Sequence, residues 1–356
     1  MKKHRMALLF VCIFLPGALF AQTPASESLL VLAKQDSTMA IVDPAKLTVV
    51  AKVPVGEDPH EIIASADGTT AYVSNYGFGR YDTISVVDLV QQKRLPSIDL
   101  GPLYGPHGLA FVGGKVWFTA EGAKAIGRYD RVTKKVDWIL GVGQNRTHMI
   151  YVSEDMRQIV ATNVNSGTVS ILEKVTTSPP TGPAAAIMPQ GLEHRPPPRF
   201  GSAAPGGDWN ETVVRVGNGS EGFDVSPDGK EIWVANSQDG TISIINRASK
   251  TVSETLDANV HGANRLKFTL DGRLVLVSML SGADVAVFDA NTRKETKRTP
   301  VGHGAGGILM QPDGSRAYVA CAPDGYVAVI DLRSLEVIGK VEVGRGPDGL
   351  AWATRH

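Results

Sequence analysis

Cysteine is nearly missing from this sequence: Cys12 and Cys321 are all that 356 residues contain. Cys12 sits inside an N-terminal apolar run, so the body of the chain has one thiol and no intrachain disulfide. A packed core must then supply the stability. An excess of either charge is missing too, with 36 Lys and Arg against 36 Asp and Glu. That balance gives no electrostatic footprint for nucleic acid or for an anionic membrane. Helical spacing of apolar residues is absent, and so is a local HExxH signature. The Gly-rich stretch VGHGAGG at 301–307 lacks both a following helix and the Lys of a phosphate loop, which makes it a weak nucleotide signal.

What is present begins with a leader. Lys2, Lys3 and Arg5 precede an apolar run from Met6 to Ala21, and Leu19-Phe20-Ala21 offers a cleavage site before Gln22. Pro16 and the shortness of the run argue against a permanent anchor, since a spanning helix needs about 20 apolar residues. Residues 1–21 are therefore expected to be a signal peptide. Residues 22–356 would form one exported domain, periplasmic or secreted, with no membrane contact and 33 basic against 36 acidic residues.

The body is a repeat. VGEDPHEIIASADGTTAYVSNYGFGRYDTISVVD at 55–88 returns as VGNGSEGFDVSPDGKEIWVANSQDGTISIIN from Val216 and as VGHGAGGILMQPDGSRAYVACAPDGYVAVID from Val301. Taking the residue before each first apolar run as an anchor gives His60, His107, His148, Glu221, Asn264, Gly306 and Asp348. Successive anchors lie 47, 41, 73, 43, 42 and 42 residues apart, the 73 being one period plus an insertion. Each copy holds four short β-type runs, and Asp-Gly turns recur at 67–68, 228–229, 271–272 and 313–314. Four strands in a period of about 42 predict an all-β, seven-bladed propeller.

The two ends complete each other. After the seventh anchor only GLAWATRH remains, enough for one strand, while SLLVLAK, STMAIVD and LTVVAKV near the start supply three. The C-terminal strand should join the N-terminal blade and close the ring, removing its free edge. The insertion, 175–209, holds eight prolines and reads as a loop of polyproline character. It should join the third and fourth strands of the third blade and leave from the face opposite the anchors. A protein partner could dock on it.

The tetrads YVSN at 72–75 and WVAN at 233–236, the degenerate YVAC at 318–321 and the SPDG turn at 226–229 resemble the YVTN or YncE-like bacterial propellers. The resemblance covers nearly the whole body and implies the same seven-bladed fold. For function it implies little, because such propellers serve as binding modules, lactonases, lyases and cofactor carriers.

Five histidines fall at two phases of the repeat. His60, His107 and His148 are anchors, while His261 and His303 each stand three residues before one. An anchor begins the innermost strand and should face the central channel at one mouth, where imidazoles of neighbouring blades can reach a common ion. Three readings follow: a metal site on His60, His107 and His148, with or without Glu221 and with His261 and His303 as further candidate ligands; a metal-free pocket with His as acid or base; or a wet channel lined by hydrogen-bonded histidines. Neutral imidazoles suit copper or zinc first, and iron or nickel after them. Glu221 or Glu121 would be the base or a further ligand. Arg80, Tyr81, Tyr104, Asn264, Arg345 and Asp348 stand at the same mouth as candidate contacts for a polar small molecule. Cys321, in the Asn place of its tetrad, reads as a buried small residue rather than a nucleophile. The expected function is metal-assisted hydrolysis, elimination or isomerisation, and the alternative is a propeller that binds a ligand, metal or protein without turnover.

Overall fold

The computed structural model describes residues 27–175 and 208–355; the expected signal peptide and residues 176–207 of the insertion lie outside the described residues. Within the described residues, 28 strands form seven four-stranded antiparallel sheets. Numbered by their anchors, blades 1 to 7 have inner strands Pro59–Ala64, Pro106–Val112, Thr147–Val152, Ser220–Val225, Ala263–Phe268, Ala305–Met310 and Pro347–Thr354. Every anchor is the second residue of its inner strand.

The burial of each strand follows from its place in the blade. The second and third strands are buried almost throughout, as in Thr70–Asn75 and Thr241–Asn246. A sheet covered on both faces by neighbouring blades needs continuous apolar runs. The outermost strands meet solvent and alternate instead, as in Thr48–Pro54 and Lys135–Gly141. The core is correspondingly a ring of layers between blades. One layer sets Leu30, Leu32 and Met39 of blade 7 against Ile62, Val73 and Val87 of blade 1. Another packs Trp233 edge-on to Phe268 at 5.5 Å. The tryptophans on strand runs are thus packing residues, Trp117 and Trp233 being fully buried.

The ring closes as the two ends require. Pro347–Thr354 pairs with Glu27–Ala33, which continues to Thr38–Asp43 and Thr48–Pro54. On the face away from the anchors, six blades join their third and fourth strands by one device. Asp43, Asp88, Asp130, Asn246, Asp289 and Asp331 accept backbone N–H bonds from residues just ahead. Four positions further on, a residue turns left-handed: Leu47, Gln92, Lys134, Lys250, Arg293 and Leu335. Blade 3 has the insertion in place of this turn, between Thr168–Lys174 and Trp209–Arg215, where the Val175 N–H meets the Asp208 carbonyl at 2.8 Å. No helix of the described residues is long and apolar enough to cross a membrane.

The Asn of the tetrad has a structural task. Asn75 Nδ2 donates to Thr83 and Ser85, Asn163 to Thr168 and Ser170, and Asn236 to Thr241 and Ser243, tying the second strand to the start of the third. In blade 6 the Asn is Cys321, and the paired residues opposite are Tyr326 and, two places on, Ala328. Donor and acceptors are lost together. Burial pushes the Cys321 thiol up to about 11, so it is an inert packing group.

Candidate functional site

Each inner strand carries a register irregularity at its anchor, for example between Pro59 and Ile62, Pro106 and Leu109, and Ser220 and Phe223. A bulge of this kind re-aims side chains that the simple alternation would send between blades. The result is a cavity of about 280 Å³ at the channel mouth, and all seven anchors line it.

His107 and His148 come closest together. Gly108 follows His107, and a Cβ there would overlap the carbonyl oxygen of His148, so glycine lets blade 3 press against blade 2. Thr119 Oγ1 fixes the approach by donating to that carbonyl at 2.6 Å while accepting the Gly108 N–H at 2.9 Å. The two imidazole centroids are 3.6 Å apart, and both residues are buried. Glu121 arrives from the loop after the second strand of blade 2. Its Oε1 lies 2.5 Å from His148 Nδ1, and its Oε2 accepts a hydrogen bond from the Tyr76 hydroxyl at 2.5 Å. Glu221 meets the other imidazole nitrogen, Nε2, at 2.9 Å.

This arrangement separates the two histidines electrostatically. Burial drives the His148 pKa down, but Glu221 and Glu121 outweigh it and the net shift is upward. Burial would likewise raise Glu221, and the His148 charge, then Arg146, hold it down at about 2. His107 has no such carboxylate; burial and then the charge of His148 keep it well below its ordinary value. Its Nδ1 is buried without a hydrogen-bond partner. His148 thus lies between Glu121 and Glu221 in surroundings that favour its charged form, beside a His107 whose surroundings favour the neutral form.

Ligand atoms of His107, Glu121 and His148 all lie within 4.8 Å of one another, and this buried group could hold a metal ion. The donor set suits one: two imidazoles and a carboxylate, with one imidazole nitrogen unpartnered. The converging group differs from the three successive anchors that the sequence suggested. His60 lines the cavity and its ring is 5.0 Å from that of His107, but its nitrogens turn elsewhere. Nε2 meets Asp58 Oδ1 at 3.2 Å, and Nδ1 lies 3.4 Å from Lys34 Nζ and 3.7 Å from Asp348 Oδ2. His261 and His303 are not brought in. Their phase precedes the strand, leaving them exposed on outer loops against the Gln238 carbonyl and Asp324.

Of the other sequence candidates, Asn264, Asp348 and Glu221 line the cavity. Arg80, Tyr81, Tyr104 and Arg345 are exposed instead, Tyr81 on Glu57 and Arg345 on Asp36. Four residues at the site escaped the sequence reading. Arg146 reaches Glu121 and Glu221 at 3.5 Å each. Arg265, 5% exposed, pairs with Glu61 and donates to Asn264 Oδ1 at 3.1 Å. Lys34 pairs with Asp348 at 3.2 Å, and Tyr76 holds Glu121. Position within two residues of an anchor was the available signal for Arg146 and Arg265. Lys34 had none, because it enters from the far end of the chain.

No family model matches the chain, and no curated protein sequence matches it. Solved structures do. A protein of unknown function from Desulfotomaculum acetoxidans superposes with a TM-score of 0.70 at 13% identity, covering 92% of this chain and 99% of that one. A putative 6-phosphogluconolactonase from Bacteroides uniformis gives 0.69 at 14%, with the same 92% and 99% coverage. Hydrazine synthase of Kuenenia stuttgartiensis gives 0.65 at 17%, over 85% of this chain and 92% of that one. These likenesses show the fold. They agree on a seven-bladed propeller with the chain described above, and the YVTN-like tetrads stand as a resemblance within it.

Proposed function

We propose that this protein is an exported, metal-binding propeller that acts on a polar small molecule at the mouth of its channel. The observation that carries the reading is the buried His107–Glu121–His148 group opening on a cavity of about 280 Å³. A transition metal there, copper or zinc first and iron or nickel after them, supplies a Lewis acid for hydrolysis, elimination or isomerisation. The chain's own residues divide the remaining work. Tyr76 holds Glu121 in place through its hydroxyl. Glu221, facing the cavity, fixes His148 through Nε2, and Arg146 and Arg265 orient anionic groups.

A metal-free reading has its own support. Each carboxylate here already meets a cation: Glu121 and Glu221 meet His148, Glu61 meets Arg265 and Asp348 meets Lys34. His148 would then serve as the acid of a purely organic pocket. Elemental analysis of the purified protein, before and after incubation with Cu²⁺, Zn²⁺, Fe²⁺ and Ni²⁺, decides between them. About one equivalent in the wild type, falling below about a tenth in a folded His107→Ala/His148→Ala variant, is the expected result. A wild type that stays metal-free after reconstitution removes the metal and leaves the organic pocket.

A further inference from the structure

Gly306 and Gly307 follow one another on the inner strand of blade 6, and the fold needs only the second. A Cβ at Gly307 would overlap the carbonyl oxygen of Asp348, so glycine is what lets blades 6 and 7 close on each other. A Cβ at Gly306 would meet nothing nearer than 3.5 Å, and the backbone there is not left-handed. Neither packing nor conformation asks for glycine at 306. Its effect is to leave space: it is the one anchor of seven without a side chain, and it lines the cavity.

Oxygen atoms of the two flanking blades surround that space. Asp348 Oδ1 would be 3.5 Å and Asn264 Oδ1 3.6 Å from the missing Cβ, with Leu280 Cδ2 at 3.6 Å. Asp348 meets Lys34 and His60 through its other oxygen, at 3.2 and 3.7 Å. Two acceptors facing one gap match a group with several N–H donors, which an ammonium supplies. Asn264, 7% exposed, accepts from Arg265 and has an amide nitrogen of its own to donate. Arg146, also in the lining, meets Glu121 and Glu221 at 3.5 Å each and the Tyr76 side chain, and its five-donor fork can add an incoming carboxylate. Lys34, Arg146 and Arg265 share the lining with Glu221 and Asp348, a mixed field that suits a molecule carrying both charges.

We infer that the cavity takes a small zwitterionic amino acid, its ammonium over Gly306 between Asp348 and Asn264 and its carboxylate towards Arg146. At about 30 Å³ per water, the volume equals that of roughly nine waters, which leaves room for a short side chain. The inference rests on reading the mouth as a small-molecule site and does not require the metal.

Calorimetric titration with L-alanine, L-lactate and L-alaninol separates the two charges, since lactate lacks the ammonium and alaninol the carboxylate. Alanine should bind at least about tenfold tighter than either. Gly306→Leu, which fills the gap, should abolish alanine binding without changing the metal content. Asp348→Asn should weaken alanine at least about tenfold and leave lactate unaffected, and Gly306→Ala, whose methyl fits the fold but enters the same gap, should fold normally and weaken alanine as well. Absence of alanine binding, equal binding of alanine and lactate, or alanine binding that survives Gly306→Leu overturns the inference. Metal analysis of the same samples keeps the two readings apart. Selective alanine binding by a metal-free protein supports the amino-acid site and removes the metal, whereas bound metal without alanine selectivity does the reverse.

Discussion

His107 and His148 face each other at 3.6 Å in the same buried mouth, and their partners set them apart. Burial, and then the charge of His148, hold His107 below its ordinary value of 6.5, so the unfolded chain takes up a proton there that the folded chain refuses. Its contribution is present above pH 6.5 and is lost as the pH falls below it. His148 has the opposite sign. Its raised value means stability that is fully present below pH 6.5 and is lost as the pH rises through that raised value. In protein stripped of metal, melting curves should show both effects. His107→Gln should flatten the acid-side fall in Tm between about pH 6.5 and 5, and His148→Gln should remove the alkaline-side fall. A metal ion competes with the His148 proton, so binding should release protons and weaken as the pH falls, which a pH-stat titration measures.

At the scale of the strand, the tetrad Asn and its hydroxyl partners form one unit. Asn236→Ala removes bonds to Thr241 and Ser243 in a buried position and should cost about 1–3 kcal/mol in denaturant unfolding. Restoring the motif in blade 6 should not help. Cys321→Asn would bury an amide opposite Tyr326 and close to Ala328, without the hydroxyl pair, and should destabilise by about 1–3 kcal/mol. The tetrads were legible as repeats, because hallmark residues sit at fixed offsets. The reason for the Asn was not, since its partners lie on the next strand and the pairing register decides which they are. Anchors show the same division. His107 and His148 stand out by phase alone, while Glu121 comes from a different loop and joins them only because blades 2 and 3 pack through Gly108.

For the whole molecule, closure is the central device. Blade 7 has its inner strand at the C-terminus and its other three at the N-terminus, so the ring is held shut by the pairing of Pro347–Thr354 with Glu27–Ala33. Removing residues 346–356 would uncover Leu30 and Leu32, now fully buried, and take Asp348 from the mouth. The truncated protein should unfold at lower denaturant than the intact chain and with a shallower transition, as far-UV circular dichroism would show. The seven blades, the shared closing blade, the place of the insertion and the ring of anchors were all determined by the sequence itself. Strand alternation, turn chemistry and a period near 42 are local signals that repetition amplifies. Which of the candidates converge, and which residues join them, was decided only by the tertiary structure. Bulges re-aim each anchor, and Lys34, Tyr76, Arg146 and Arg265 reach Asp348, Glu121 and Glu61 across blades far apart in the chain. Periodicity specifies which face a residue belongs to, whereas contact across a ring depends on how the blades pack.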